Sequence, residues 1–241
     1  MTPKYYSQFM DTNSGAAAPD LGLDGAVATA LFVGDIRPLP ESGRPTGMYK
    51  TALGAPARLG VDGFDVDRQA DRRVHGGPEK AVHLYPSMHL ARLAARFPRA
   101  AAQLVPGAIG ENLSAALDES AVRVGEVWSL GDALLQICQP RNPCWKIDER
   151  FGCPGMAAYI VEARITGWYW RVLRGSVVQP GDALRRQHTD AAAPTLRDAL
   201  ELWHTPRADT AALARLAQVD GIAAHWRHKI EQRIDWLARQ R

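Results

Sequence analysis

Cysteine is scarce in this chain, which has 241 residues and only three cysteines. They are Cys138, Cys144 and Cys153, with five and eight residues between them. An odd number at this spacing fits neither a disulfide scaffold nor a zinc finger. The sequence therefore predicts a protein of a reducing compartment, the cytoplasm.

Long apolar runs are also missing. No segment is long and apolar enough to cross a bilayer, and the first 25 residues lack the uninterrupted apolar core that secretion requires. We therefore expect no membrane partner. We interpret residues 1–25 as a disordered N-terminal tail.

Neither sign of charge is in large excess. The chain has 29 Lys and Arg against 26 Asp and Glu, a net charge of +3, and its pI is near 8.9. This balance suits an anionic ligand as easily as a nucleic acid and does not decide between them. An apolar content of 46% is enough for the core of one large domain or of a medium domain with an appendage.

Short apolar runs broken by Gly, Pro and Asp dominate the first part of the chain, a pattern typical of a mostly β core. Gly131-Asp132 separates two of these runs and indicates a hairpin turn. One helix is expected from Pro86 to Phe97, where apolar residues recur at helical spacing, and another over residues 156–165. The candidate strands are residues 27–33, 48–52, 122–130, 133–138 and 167–173.

The character of the chain changes after a polar linker over residues 188–194. Three amphipathic helical segments follow, and Thr195 with Asp198 resembles a capping box at the start of the first. We therefore divide the chain into a tail over 1–25, a mostly β domain over 26–187 and a three-helix domain over 188–241.

The most informative stretch is residues 139–146, Gln-Pro-Arg-Asn-Pro-Cys-Trp-Lys. Two prolines restrict the backbone around Cys144, so the loop presents the thiol rather than burying it. Arg141 and Lys146 lie close by and favour the thiolate, the form that binds soft metals. Cys144 is the leading candidate functional residue, whereas Cys138 and Cys153 are expected to be buried small hydrophobic residues.

Three blocks carry a resemblance to a known family: HGGPEKAVHLYP at residues 75–86, GENLS at 110–114 and QPRNPC at 139–144. In this order they resemble a MOSC domain, the module similar to the C-terminal part of molybdenum-cofactor sulfurases. More narrowly, they resemble the bacterial YiiM-type proteins linked to resistance against hydroxylaminopurine. The resemblance runs from about Leu31 to Arg185, and the three helices match the C-terminal domain of those proteins.

The resemblance implies a mixed α/β, mostly β fold: a MOSC-type β-barrel with peripheral helices and a small C-terminal three-helix bundle. It also implies a molybdenum cofactor, a molybdenum on a pyranopterin dithiolene, with Cys144 as the metal ligand. Members of the wider family reduce N-hydroxylated bases and amidoximes. They take two electrons from an external electron-donor protein of the flavoprotein or iron-sulfur type. Whether this chain forms a homodimer stays open.

The same resemblance directs attention to residues that could hold the cofactor or donate protons. His75 and His83 are candidate proton donors, although a histidine equally often locks a loop through ring hydrogen bonds. Thr51 could instead end a strand with Lys50, and Asn112 could form a turn. The predicted cofactor-binding residues are Lys50, Thr51, Arg73, Asn112, Arg141 and Asn142.

Other side chains receive structural interpretations. His89, on the helix after Pro86, is expected at the surface. The cluster Trp168-Tyr169-Trp170 is expected to pack in the core and at its rim rather than to stack on bases.

Two further functions compete with the reductase. The chain could bind the cofactor, or carry sulfur as a persulfide on Cys144, without reductase activity. Nucleic-acid binding by the C-terminal helices is the third, and charge argues against it. From Thr195 onward, eight Lys and Arg face six Asp and Glu, which gives +2 and no basic stripe.

Overall fold

The computed structural model describes residues 26–71 and 75–240. The tail predicted over residues 1–25 and the predicted cofactor ligand Arg73 lie outside the described residues.

An eight-stranded sheet forms the body of the molecule, with the strand order β13-β9-β10-β11-β7-β8-β1-β4. Neighbouring strands are antiparallel except β7 and β8, which are parallel. The strands are β1 (Thr29–Val33), β4 (Thr51–Ala52), β7 (Val82–Pro86), β8 (Leu113–Ala115), β9 (Val127–Leu130), β10 (Ala133–Pro140), β11 (Trp168–Arg174) and β13 (Leu184–His188).

The sheet curls into a barrel, so that the chain just before β1, the strand next to β4, meets the end strand β13. Val27, just before β1, and Leu184 on β13 exchange both backbone hydrogen bonds, at 2.9 and 3.0 Å. Edge strands left unpaired expose a row of backbone donors and acceptors, and closure removes most of that row. The expected mixed α/β, mostly β barrel is confirmed.

Two smaller sheets accompany the barrel. One has the order β12-β5-β6 and the other pairs β2 with β3. Their strands are β2 (Arg37–Pro38), β3 (Pro45–Thr46), β5 (Ala57–Gly60), β6 (Gly63–Phe64) and β12 (Ser176–Val178).

Strand β11 shows why these residues form a barrel wall. Trp168, Trp170 and Val172 are buried, while Tyr169 and Arg171 between them are partly exposed, as the two-residue period of a strand requires. The indoles of Trp168 and Trp170 have ring centroids 6.1 Å apart in the barrel core. The prediction that this cluster packs in the core is confirmed.

The hairpin at Gly131-Asp132 is confirmed, since Leu130 of β9 pairs with Ala133 of β10. Gly131 has a φ of 55°, a backbone conformation that glycine adopts without strain. Two strand predictions were too long: only Thr51–Ala52 of residues 48–52 and Val127–Leu130 of residues 122–130 are extended.

Six α-helices lie in the described residues outside the sheets. The first matches the helix predicted after Pro86, and the third is shorter than the 156–165 predicted. They are α1 (Ser87–Arg96), α2 (Lys146–Phe151), α3 (Met156–Glu162), α4 (Leu196–His204), α5 (Thr210–Ala217) and α6 (Ala224–Ala238). No helix among these is long and apolar enough to cross a membrane.

One prediction on α1 was wrong. His89 is buried rather than at the surface, and its Nε2 lies 2.7 Å from Oε2 of the fully buried Glu119. A partner 30 residues away in sequence compensates the cost of burying the imidazole. Periodicity along α1 carries no information about that partner.

The three C-terminal helices pack on the barrel rather than standing apart. Trp226 and Ile230 of α6 belong to the same hydrophobic core as Trp168 and Trp170 of the barrel. The backbone N–H of Ala223 also donates to the Cys138 carbonyl at the end of β10, at 2.8 Å. The secondary structure therefore changes at residue 188, whereas the hydrophobic core continues across it.

Candidate functional site

The cysteine loop connects the end of β10 to the start of α2. The backbone N–H of Arg141 donates to the Gly167 carbonyl at 3.0 Å, which fixes the loop against the start of β11. At the other end, the Cys144 carbonyl accepts from Ile147 N at 3.0 Å. Cys144 is half-buried, whereas Cys138 and Cys153 are buried, as expected.

A cavity with about 610 Å³ of empty space, part of it open to solvent, lies beside Cys144. We call it the inner cavity. It brings together six of the nine predicted site residues: Lys50, His75, His83, Asn112, Arg141 and Cys144. These residues come from five separate segments of the chain, which the barrel fold brings together.

Two buried side chains of the inner cavity have a polar atom without a hydrogen-bond partner among the described residues. They are Nε2 of His83, a residue 5% exposed, and Nη1 of Arg141, a residue 7% exposed. Buried polar atoms are almost always paired, because burial without a partner costs about 1–3 kcal/mol. On a cavity wall, such atoms are available to pair with water or with a polar ligand.

One wall of the inner cavity is a buried polar network. Lys50 Nζ forms an ion pair with Asp67 at 2.5 Å, and the Asn112 amide donates to Asp67 Oδ2 at 3.1 Å. Asn112 Oδ1 accepts from the backbone N–H of His83 at 3.2 Å, and Asn112 N donates to the His83 carbonyl at 2.8 Å. Asn112 therefore links β7 to the Lys50–Asp67 pair, and its side-chain partners are distant in sequence rather than within its own turn.

Both histidines of the inner cavity favour the neutral imidazole. Burial, followed by the charge of Arg141, lowers the pKa of His83 well below its usual value, although a hydrogen bond to the Gly110 backbone raises it. Burial and the charges of Arg141, Lys146 and Lys80 lower the pKa of His75 to about 4, although Asp71 raises it. A proton-donor role at neutral pH was expected of these residues, and the protein's own charges work against it.

A second cavity adjoins the first on the solvent side, and we call it the outer cavity. Both cavities are lined by His75, Lys80, Cys144, Lys146 and Tyr169, so the cysteine lies where they meet. The far wall of the outer cavity is helix α6, through His225 and Lys229. The C-terminal helices thus form part of the site.

The other predicted site residues lie elsewhere. Asn142 lines only the outer of these two cavities. Thr51 lines neither; it is exposed on β4 and its hydroxyl donates to the Val33 carbonyl at 3.4 Å. Its position fits the alternative reading, the end of a strand.

The sequence analysis missed three residues that line the inner cavity. Asp67 carries the counter-charge of Lys50, and Lys80 and Tyr169 line both cavities. Lys80 lies within the HGGPEKAVHLYP block, so its motif was the available signal. Nothing in the local sequence marks Asp67, which becomes a partner of Lys50 only in the folded chain.

Two family models match this chain. The MOSC domain family matches residues 71–185, and the YiiM-like, 3-alpha helix domain family matches residues 194–235. Protein YiiM of Escherichia coli is 32% identical over 209 residues, 84% of this chain and 90% of YiiM. The chain belongs to the YiiM-like MOSC family. The resemblance drawn from three sequence blocks is confirmed.

Two further relatives of this MOSC protein are informative. The crystal structure of YiiM from Escherichia coli superposes with a TM-score of 0.74 at 25% identity, covering 88% of this chain and 93% of that one. A protein named "Reductase" from Gibberella moniliformis is 32% identical over 141 residues, 58% of this chain and 25% of the fungal protein. The first confirms the fold, and the second places a related MOSC segment within a protein named as a reductase.

MOSC domains are generally molybdenum-cofactor-binding domains, so the function of this chain is related to that cofactor. The residues of the inner cavity fit such a group. Cys144 offers a soft sulfur to a metal, and the unpaired atoms of His83 and Arg141 offer polar contacts to a pterin. Arg141 supplies positive charge for the phosphate of the cofactor.

Proposed function

We propose that this MOSC protein is a molybdenum-cofactor-dependent reductase of N-hydroxylated compounds, such as hydroxylaminopurine-like bases and amidoximes. The observation that carries the proposal is the half-buried Cys144 on a cavity whose buried His83 and Arg141 each leave a polar atom unpaired. The relative named as a reductase supports the reaction class.

In this proposal, Cys144 is the protein's ligand to the metal. The bound cofactor would supply the two-electron reducing centre. Arg141 would contact the cofactor from the rigid loop, and Asn112 with Lys50 would hold the opposite wall through Asp67. His83 is neutral at pH 7, and its Nε2, which has no hydrogen-bond partner among the described residues, would contact the ligand.

The reaction converts an N-hydroxylamine, two electrons and two protons into an amine and water. The electrons come from an external electron-donor protein of the flavoprotein or iron-sulfur type. Lys80 Nζ is one place where the chain can hold a proton beside Cys144, because Lys80 lines both cavities. Burial and the charge of Lys229 lower the pKa of Lys80, which makes that proton easier to release.

His75 is the other candidate proton donor of the site. A bound anion would offset the charges of Arg141, Lys146 and Lys80, but not the burial that lowers the pKa of His75 most.

The test is production of the protein in a host that makes the cofactor, followed by molybdenum analysis and assay with hydroxylaminopurine. We expect bound molybdenum and turnover in the natural protein, and neither in Cys144→Ser. Cys153→Ser is the matched control and should retain both, because Cys153 is buried away from the two cavities. Metal-free protein that still reduces hydroxylaminopurine would refute the proposal.

One observation also favours a second candidate, a sulfur carrier. Cys144 is partly exposed among cations and reachable from the outer cavity, an environment that suits a persulfide anion. Intact mass spectrometry separates the two functions. A carrier gains mass at Cys144 that a reductant removes, whereas the reductase keeps the mass of its unmodified chain after the cofactor is released.

A further inference from the structure

The outer cavity has a function that the reductase proposal leaves unassigned. It begins at Cys144 and ends at helix α6, so it is the solvent-side approach to the proposed reducing centre. A substrate whose reacting nitrogen lies near Cys144 would extend the rest of its structure into this space. The residues that line the outer cavity therefore determine which chemical groups the rest of the substrate can carry.

The lining of the outer cavity is strongly cationic. Arg44 from the β2–β3 turn, Lys80, Lys146 at the start of α2 and Lys229 of α6 all border it. Among the described lining residues, the one carboxylate is Asp71. Four cations from four separate segments converge on one space, which is the arrangement that binds a multiply charged anion.

The carboxylate of Glu79 already has two hydrogen-bond partners. Glu79 Oε1 accepts from Arg171 Nη2 at 2.8 Å and from the backbone N–H of Ala224 at 2.8 Å. Glu79 does not line the cavity. It holds the start of α6 against the barrel, which fixes His225 and Lys229 at the outer wall without neutralising Lys229.

The lowered pKa values of two lining residues agree with this excess of positive charge. The pKa of His225 is lowered by desolvation, by Lys229 and by Lys80, with a smaller opposing effect of Glu79. The pKa of Lys80 is lowered by burial and then by Lys229. Cations of different segments thus repel one another across the outer cavity, and a bound anion would relieve that repulsion.

We propose that the outer cavity is a phosphate-binding subsite for the substrate, in which Lys229 of α6 acts with Arg44 and Lys80. The preferred substrate is then a nucleotide form of an N-hydroxylated purine rather than the free base. This inference rests on the proposed reductase function. It also gives the C-terminal helices a role, since α6 supplies the cation that recognises the phosphate.

A phosphate monoester could come from the substrate or from the cofactor itself, and the experiment distinguishes these sources. The substrates are hydroxylaminopurine, its riboside and its riboside monophosphate, with reduced methyl viologen as electron donor so that docking of a donor protein is not measured. We expect kcat/KM of the monophosphate to exceed that of the base by about tenfold, the usual effect of one charge-assisted contact.

The decisive variants are on α6. Lys229→Glu should lower the ratio of the two kcat/KM values by about tenfold or more, and Lys229→Arg should largely restore it. The matched control is Arg239→Glu, which makes the same charge change at an exposed residue just after α6 that does not line the cavity. It should leave the ratio unchanged.

Binding to the protein without cofactor gives a second readout. AMP should bind more tightly than adenosine in calorimetric titration, and Lys229→Glu should abolish that difference. Equal kcat/KM for base and monophosphate, or equal binding of AMP and adenosine, overturns the inference. A loss of molybdenum content in Lys229→Glu assigns the phosphate to the cofactor and overturns it too. If the reductase proposal itself is wrong, no substrate is turned over, but the AMP titration still tests the phosphate subsite.

Discussion

Two buried glutamates, Glu119 and Glu111, differ in the hydrogen-bond partners of their carboxyl groups. Glu119 accepts from Gly167 N at 2.8 Å with one oxygen and lies 2.7 Å from His89 Nε2 with the other. Glu111 accepts from Gly107 N at 2.6 Å and Ile109 N at 2.9 Å. Glu119 has an imidazole partner, whereas Glu111 relies on backbone donors alone for its hydrogen bonds.

This difference predicts that the ionisation of Glu111 makes the stability of the protein depend on pH. Burial raises its pKa to about 7, although the hydrogen bonds from Gly107 and Ile109 and the charge of Arg141 favour the carboxylate. Because the folded pKa lies above the unfolded one, the folded chain binds a proton that the unfolded chain has released. Stability is therefore lost as pH rises from about 4.5 to about 7, by about 3 kcal/mol in total.

The measurement is the free energy of unfolding in urea, at several pH values across that window, for the natural protein and Glu111→Gln. The natural protein should lose stability relative to the variant as pH rises, and the difference should level off above about pH 7. His75, whose lowered pKa has the opposite effect on stability, is present in both proteins and cancels in the comparison. Parallel pH profiles would contradict the prediction.

At the scale of elements, the start of α4 is the clearest case in which a local sequence signal specifies structure. Thr195 Oγ1 accepts from Asp198 N at 3.0 Å, and Asp198 Oδ2 accepts from Thr195 N at 3.3 Å. Both halves of the predicted capping box are present, although Asp replaces the more usual Glu. All the partners lie within four residues, so the sequence contains the whole motif.

We expect Thr195→Ala to lower the free energy of unfolding by about 1 kcal/mol, because the first turn of α4 loses its side-chain acceptor. Chemical denaturation followed by circular dichroism measures this. Thr210→Ala is the matched control at the first residue of α5, where Asp209 provides the cap instead. It should cost less than about 0.5 kcal/mol. Equal losses in the two variants would mean that the capping contact adds nothing.

The cysteine loop is an element that the sequence specified only in part. Its prolines predicted a restricted backbone and a presented thiol, and Cys144 is indeed half-buried on a cavity wall. What holds the loop in place is a contact from Arg141 N to the Gly167 carbonyl, across 26 residues of sequence. No local pattern predicts that contact.

At the scale of the molecule, the barrel and the C-terminal helices share one core. Trp226 of α6 is 5% exposed and packs in the cluster that contains the barrel indoles. The structure therefore predicts that the described chain unfolds as one cooperative unit, with no stage at which the helices melt alone.

We expect Trp226→Ala to destabilise the whole protein by about 3–5 kcal/mol through loss of apolar contacts and creation of a cavity. Tryptophan fluorescence, to which the barrel and the C-terminal helices both contribute, and circular dichroism, which reports mainly on helices, should give coincident transitions in the natural protein. Trp236→Ala is the control on the same helix, and at 51% exposure it should cost less than about 0.5 kcal/mol. Two separate transitions would indicate independent domains.

The sequence by itself determined the class of fold, the order of its main elements and the identity of the leading cysteine. These depend on signals that are local: the period of apolar residues, the turn at Gly131-Asp132, the prolines around Cys144 and the family's sequence blocks. The wrong or incomplete predictions concern His89, Thr51 and the ionisation of His75 and His83. Each of these depends on which distant groups share a buried environment.

Only the tertiary structure decided the composition of the site. Barrel closure brings Lys50, Asp67 and Arg141 to one cavity, and the shared core places Lys229 of α6 on the far wall of the cavity that starts at Cys144. The physical reason is that burial and charge act through space. The pKa of a group, and whether a buried donor is paired, depend on neighbours that lie far away in the chain.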